Sequence, residues 1–171
     1  DITFIEGAKL THTGRGGGLI LRAYYTEYNS ASLSSKVTAG RILLTENSVD
    51  FSKSCESAIS FFYQPQFVDG RHKYECPQDF TGLVSLPPNH VYFKAFMLVE
   101  NKDDLLSICS YPSGCYALGR NTGVKQEDHK KEEVFRGVFS FNNNYLSESF
   151  FWDNLSIRTI FASPPYLSNS A

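Results

Sequence analysis

Few side chains in this sequence stand where they could do chemistry. The four histidines, His12, His72, His90 and His129, lie apart, and the sequence gives none of them an obvious carboxylate or nucleophile partner for a proton relay. His72 sits between Asp69 and Glu75, a set able to hold a divalent ion, although solvated charges at a hairpin tip explain the same three residues. No G-x-S-x-G elbow, H-E-x-x-H pair or metal-spaced carboxylate run occurs. A phosphate-cradling loop follows a strand and opens a helix, whereas Gly16-Gly17-Gly18 precedes the apolar stretch Leu19 to Tyr25, and no Lys-Ser/Thr pair follows. The expectation is a protein that is not an enzyme, with no catalytic residue, no cofactor and no metal.

What has to be positioned is then a surface, and the elements that carry it are strands. At 171 residues the chain suits one domain with one core. It has no run of 18 apolar residues to cross a bilayer, and its net charge of −2, with both signs interspersed, gives no footprint for nucleic acid. It opens on Asp1 with no initiator methionine or signal pattern, as expected of a mature or excised fragment. Phe and Tyr supply 14 and 10 residues against a single Met, a balance that favours strands over helices. Cys55, Cys76, Cys109 and Cys115 do not follow paired C-x2-C zinc spacing, so two disulfides are expected, with three pairings open. Disulfides imply an oxidising compartment, and Asn154-Leu155-Ser156 is a glycosylation sequon compatible with secretion.

Along the chain, the glycine triplet leads into a strand from Leu19 to Thr26 that is apolar on both faces and reads as central. A second strand runs from Val37 to Thr45, with Gly40 at a bulge, and Phe51 to Glu56 is the early segment where a helical turn competes. Glu56 to Gln64 alternates cleanly, placing Ile59, Phe61 and Tyr63 on one face, and Asp69-Gly70 marks a hairpin turn. Val91 to Glu100 is the longest apolar run and reads as a core strand. The run Asp103 to Cys109 leaves a helix as an alternative, Tyr111-Pro112-Ser113-Gly114 ends anything that begins there, and two strands, Val134 to Phe141 and Phe151 to Phe161, close the chain. With no βα alternation and no detected internal repeat, the expected fold is all-β, a β-sandwich of two mainly antiparallel sheets with minor helical turns.

Three stretches carry a resemblance to the poxvirus chemokine-binding fold: Gly16-Gly17-Gly18-Leu19, Ser54-Cys55-Glu56-Ser57-Ala58-Ile59-Ser60, and Val91 to Glu100. In their order, the chain length and the four cysteines, nearly all 171 residues resemble the SECRET domain, the chemokine-binding module at the carboxyl end of orthopoxvirus decoy tumour necrosis factor receptors of the cytokine response modifier type. A more distant similarity is to the viral CC chemokine inhibitor. The resemblance implies a single secreted sandwich over residues 1–171 that binds host chemokines and blocks their receptor-facing surface. It also implies that the receptor repeats binding tumour necrosis factor lie upstream and that this fragment does not bind that cytokine. The loop from 119 to 133 is balanced in charge where the inhibitor family is strongly acidic, which implies weaker steering of basic partners.

Strand alternation suggests where a partner would sit. On Val134 to Phe141, Arg136 and Ser140 share the polar face with Asn142, and the last strand presents Asn154, Ser156 and Arg158 in the same way. The expected chemokine contacts are Arg136, Ser140, Asn142, Asn143 and Asn144, with Glu148 and Asp153 pairing with basic side chains. Glycosylation at Asn154 would shield part of this face. The alternative reading is a secreted carbohydrate-binding, lectin-like sandwich.

Overall fold

A computed structural model of the chain describes residues 1–29, 34–55, 57–75, 77–87, 92–119, 122–123, 137–140 and 146–147. The all-β expectation holds, with one short helix and one 3-10 turn among the described residues.

The chain coils. It runs through β1 (Ile2–Thr3), β2 (Leu10–Arg15) and β3 (Gly18–Arg22), then leaves in a hairpin of β4 (Tyr24–Asn29) and β5 (Ser34–Ala39). It returns to retrace the same path one layer on through β6 (Ile42–Leu43), β7 (Val49–Cys55) and β8 (Ala58–Tyr63). A second hairpin follows, β9 (Phe67–Val68) and β10 (Arg71–His72), and then β11 (Val84–Ser85) and β12 (Tyr92–Val99) form a third layer. Helix α1 (Lys102–Ser107) and the 3-10 turn Ile108–Ser110 lead to β13 (Cys115–Leu118) and β14 (Thr122–Gly123), and β15 (Val138–Ser140) and β16 (Leu146–Ser147) complete the described path.

Every layer pairs in parallel with the next. β1 lies along β6, β2 along β7 and β7 along β11, β14 along β16, and a five-stranded sheet runs in the order β15-β13-β12-β8-β3. The antiparallel pairs among the described residues are the two excursions, β4 with β5 and β9 with β10. This is a parallel β-solenoid. The pairing among the described residues is therefore mostly parallel where mainly antiparallel sheets were expected.

The corner between β2 and β3 explains the glycine triplet. Gly16 and Gly17 both have positive φ (73° and 76°), a conformation that side chains resist. There the backbone keeps pairing with the layer beside it, through Gly16 N–H to Cys55 O (2.8 Å) and Ala58 N–H to Gly17 O (3.3 Å). Gly18 has an ordinary φ, but a Cβ there would run into the carbonyl oxygen of Ala58. The triplet is thus a backbone corner pressed against the second layer.

Parallel stacking puts like residues over like. Ile59, Phe61 and Tyr63 point into the coil, where Leu19 and Phe93 flank Ile59 and Leu21 and Ala95 flank Phe61. Tyr63, Met97, Tyr116 and Phe139 form a continuing buried column. The opposite face of the same sheet is covered too: Phe62 and Phe96 stack at 5.1 Å and 16°, joined by Leu98 and Ala117 and closed over by Tyr24 and Ala39 from the base of the first hairpin. A sheet covered on both faces needs continuous apolar strands, which is why Val91 to Glu100 carries so long an apolar run.

Three local expectations change. Phe51 to Cys55 belongs to β7 and not to a helical turn, because the Phe51 side chain fills the coil while Asp50 and Ser52 face outward. β3 is an end strand of its sheet rather than a central one, and Ile20 on it is 59% exposed. The Val37 to Thr45 strand is broken at Gly40, where the absence of Cβ lets the Asp1 amino nitrogen approach.

Candidate functional site

Asp69-Gly70 forms the tight hairpin turn its residues favour, with both at positive φ (50° and 77°), and this fixes β10 so that His72 turns inward. Asn101 caps α1: its Oδ1 accepts from Asp104 N (2.9 Å), while Asp104 Oδ2 reaches back to accept from Glu100 N and Asn101 Nδ2, each at 3.0 Å. The cap leaves Asp104 Oδ1 to meet His72 Nδ1 at 3.1 Å, with both side chains less than a tenth exposed. His72 Nε2 meets Gln64 Nε2, and Tyr74, edge-on to the imidazole, donates its hydroxyl to Leu98 O (2.7 Å). Both ring nitrogens of His72 are therefore engaged. The pattern fits a neutral imidazole protonated at Nδ1, donating to the carboxylate and accepting from the amide.

This pair clamps the second hairpin to α1, and between them opens a cavity of about 610 Å³. Phe67 stands at its edge, 62% exposed, with its ring 5.4 Å from that of His72. Arg71, Asn101, Asp103, Ser107 and Ser110 supply polar groups around it, and Arg71 makes no ion pair among the described residues. The arrangement offers one apolar ring face beside several hydrogen-bonding groups of both kinds. It offers no proton shuttle, since the imidazole is held at both nitrogens.

The hydrogen bond to Asp104 raises the pKa of His72 above its ordinary 6.5, against the opposing effect of burial. Protonation requires the Gln64 amide to turn over and present its oxygen. Because the folded value lies above the unfolded one, the stabilisation is fully present below about pH 6.5 and fades as pH rises through the folded value. Urea midpoints measured from pH 5 to 9 are expected to fall across that window in the wild type. The His72→Gln variant is expected to show no fall there; an equal fall would assign it to another group.

The contact residues expected from sequence are mostly not among those described. Arg136, Asn142, Asn143, Asn144, Glu148, Asp153 and Asn154 lie outside the described residues. Ser140 is half-buried on β15, beside the buried Phe139, as the alternation of that strand predicts. Cys55 and Cys115 are free thiols, the first exposed with Sγ 3.7 Å from Gly14 O, the second half-buried, its pKa pushed up by burial. The two-bridge expectation needs all four cysteines, and Cys55 and Cys115 are not bonded to each other. Cys76 and the Cys109 side chain lie outside the described residues. No three metal-ligating side chains converge among the described residues, and His72 meets Asp104 instead of Asp69 or Glu75. No described helix is long and apolar enough to cross a membrane.

Sequence reading found the hairpin and left the helix as an alternative, but missed Phe67, Arg71 and Asp104 as members of one site. The usable signal was Asn101 three residues before Asp104, the spacing of a helix cap. Compared with known protein families, with curated proteins and with solved structures, the chain matches none.

Proposed function

We propose that this domain is a carbohydrate-binding module and not an enzyme, and that the cavity between the second hairpin and α1 receives the sugar. The observation that carries the reading is Phe67, a large apolar ring left 62% exposed at the margin of a mostly polar cavity. A pyranose has an apolar face of C–H groups and a rim of hydroxyls, each both donor and acceptor. Phe67 matches the first, and Arg71, Asn101, Asp103 and the serines match the second. With this reading goes the secreted, extracellular location expected from the sequence.

The test is a glycan array run beside a chemokine panel on the same protein. Capture of a defined glycan class is expected, and Phe67→Ala is expected to weaken it by about tenfold, or about 1.4 kcal/mol. Sequestration of a host chemokine, the role the resemblance implies, is the competing outcome. Nanomolar capture of a chemokine with no glycan bound would put that role in place of this one.

A further inference from the structure

On the other side of the His72–Gln64 contact lies a second cavity, of about 350 Å³, lined by Arg41, Tyr63, Gln64, Gln66, Pro77 and Gln78. It is separate from the first, yet the two share a wall, since His72 lines one and Gln64 the other. Its polar groups are held in place. Tyr63 is 1% exposed and its oxygen accepts from Gln78 N (3.0 Å), but the phenol proton has no acceptor among the described residues. Burial pushes this phenol up to about 12, so the proton stays on the oxygen. Gln78 Nε2 donates to Ile42 O (2.7 Å), which fixes that side chain and leaves its Oε1 without a partner among the described residues. Gln64 Nε2 is taken by His72, which leaves its Oε1 in the same position. Arg41 is steadied by Asp1, with Nη2 2.9 Å from Oδ2 and the backbone N–H 2.7 Å from Oδ1.

A buried donor with no acceptor is costly unless something fills the space beside it. Tyr63 therefore points to a ligand group that accepts, and the glutamine oxygens beside it point to one that also donates. A hydroxyl does both. The amides of Gln64, Gln66 and Gln78 suit adjacent hydroxyls on a sugar ring better than a phosphate or carboxylate, for which a guanidinium already committed to Asp1 is a poor anchor.

Resting on the carbohydrate reading above, we infer that this cavity is a second sugar subsite, and that the ligand is a linear oligosaccharide lying across the stem of the second hairpin, one residue in each cavity. Gln64 is the shared post: it positions His72 for the first subsite and offers its oxygen to the second.

Isothermal titration with the monosaccharides and hexasaccharides of the cellulose, chitin, starch and pectin series tests this on the intact chain. In whichever series binds, the hexasaccharide is expected to bind about tenfold or more tightly than the monosaccharide, which fills one cavity only. Tyr63→Phe and Gln66→Ala are each expected to remove that gain with chain length. Gln66 is exposed, so its variant keeps the test valid if Tyr63→Phe folds poorly. Equal affinity for both lengths, or a gain that survives both substitutions, overturns the second subsite, while loss of monosaccharide binding in Phe67→Ala would still uphold the first. Failure of every series at both lengths overturns the two together.

Discussion

Asp104→Ala is expected to destabilise the protein by about 3 kcal/mol, read as a lowered denaturant midpoint with an unchanged slope, because one carboxylate satisfies three donors at once. Its Oδ1 holds His72 Nδ1, and its Oδ2 accepts from Glu100 N and from Asn101 Nδ2. With Asp104 7% exposed and His72 nearly buried, water replaces little of this in the variant, and each buried donor left unsatisfied costs about 1–3 kcal/mol. The damage is specific in place. It frees the second hairpin from the start of α1, the two walls of the cavity that holds Phe67, so glycan binding is expected to fall with stability. Asp104→Asn keeps an acceptor toward the cap but loses the charge that favours protonated His72. It is expected to retain more stability and to lose the decline between pH 6.5 and the raised value of His72. A shift below about 1 kcal/mol for Asp104→Ala, with the pH dependence intact, would remove this carboxylate from the centre of the site.

What the sequence shows and hides follows from the range of each signal. The turn at Asp69-Gly70 and the glycine corner before Leu19 are local, and each was legible because a few adjacent residues determine the backbone there. Strand existence was legible for the same reason, from the alternation in Ala58 to Tyr63 and the apolar run in Tyr92 to Val99. Strand direction was not. An inward-facing Ile59, Phe61, Tyr63 series has the same period whether its neighbours run with it or against it. The adjacent pair Phe61-Phe62, buried on opposite faces, was the better clue, since a sheet covered on both sides is the mark of parallel packing.

The repeat escaped notice because its layers differ in length. Gly18 stacks on Ala58 and Ala58 on Tyr92, while Met97 stacks on Tyr116, a much shorter circuit. The surplus is taken up by the two hairpins, which leave the coil and return to it, so no fixed period survives in the sequence. The candidate site was hidden by the same geometry. Phe67 and His72 belong to an excursion from the second layer and Asp104 to the connection after the third, and only the stacking of layers brings them together. Exposure of Phe67 had no sequence signature at all, since an aromatic residue in a short strand is ordinarily read as core.

Phe61→Ala is expected to have the largest effect on stability, about 3–5 kcal/mol, for reasons that belong to the coil as a whole. Phe61 is fully buried in β8, with Leu21 on one side of it and Ala95 on the other, so it has a stacked neighbour in both directions. Its ring meets those of Phe80 and Phe93 edge-on, both at 5.1 Å, and Phe80 in turn packs edge-on against Tyr63 at 5.5 Å. Rigid rings held by their own backbone ladders cannot collapse into the vacated space, so the cavity term is expected near its upper range. Against a typical total of about 5–15 kcal/mol, that loss brings the domain close to unfolding at ordinary temperature. Ile20→Ala, one layer away on the same sheet but outward-facing and 59% exposed, is expected to change stability by less than about 0.5 kcal/mol. Equilibrium denaturation of the two variants side by side separates inward from outward positions on paired strands. Equal effects would mean that Phe61 does not lie inside the coil and that the stacking register of β3 on β8 is wrong.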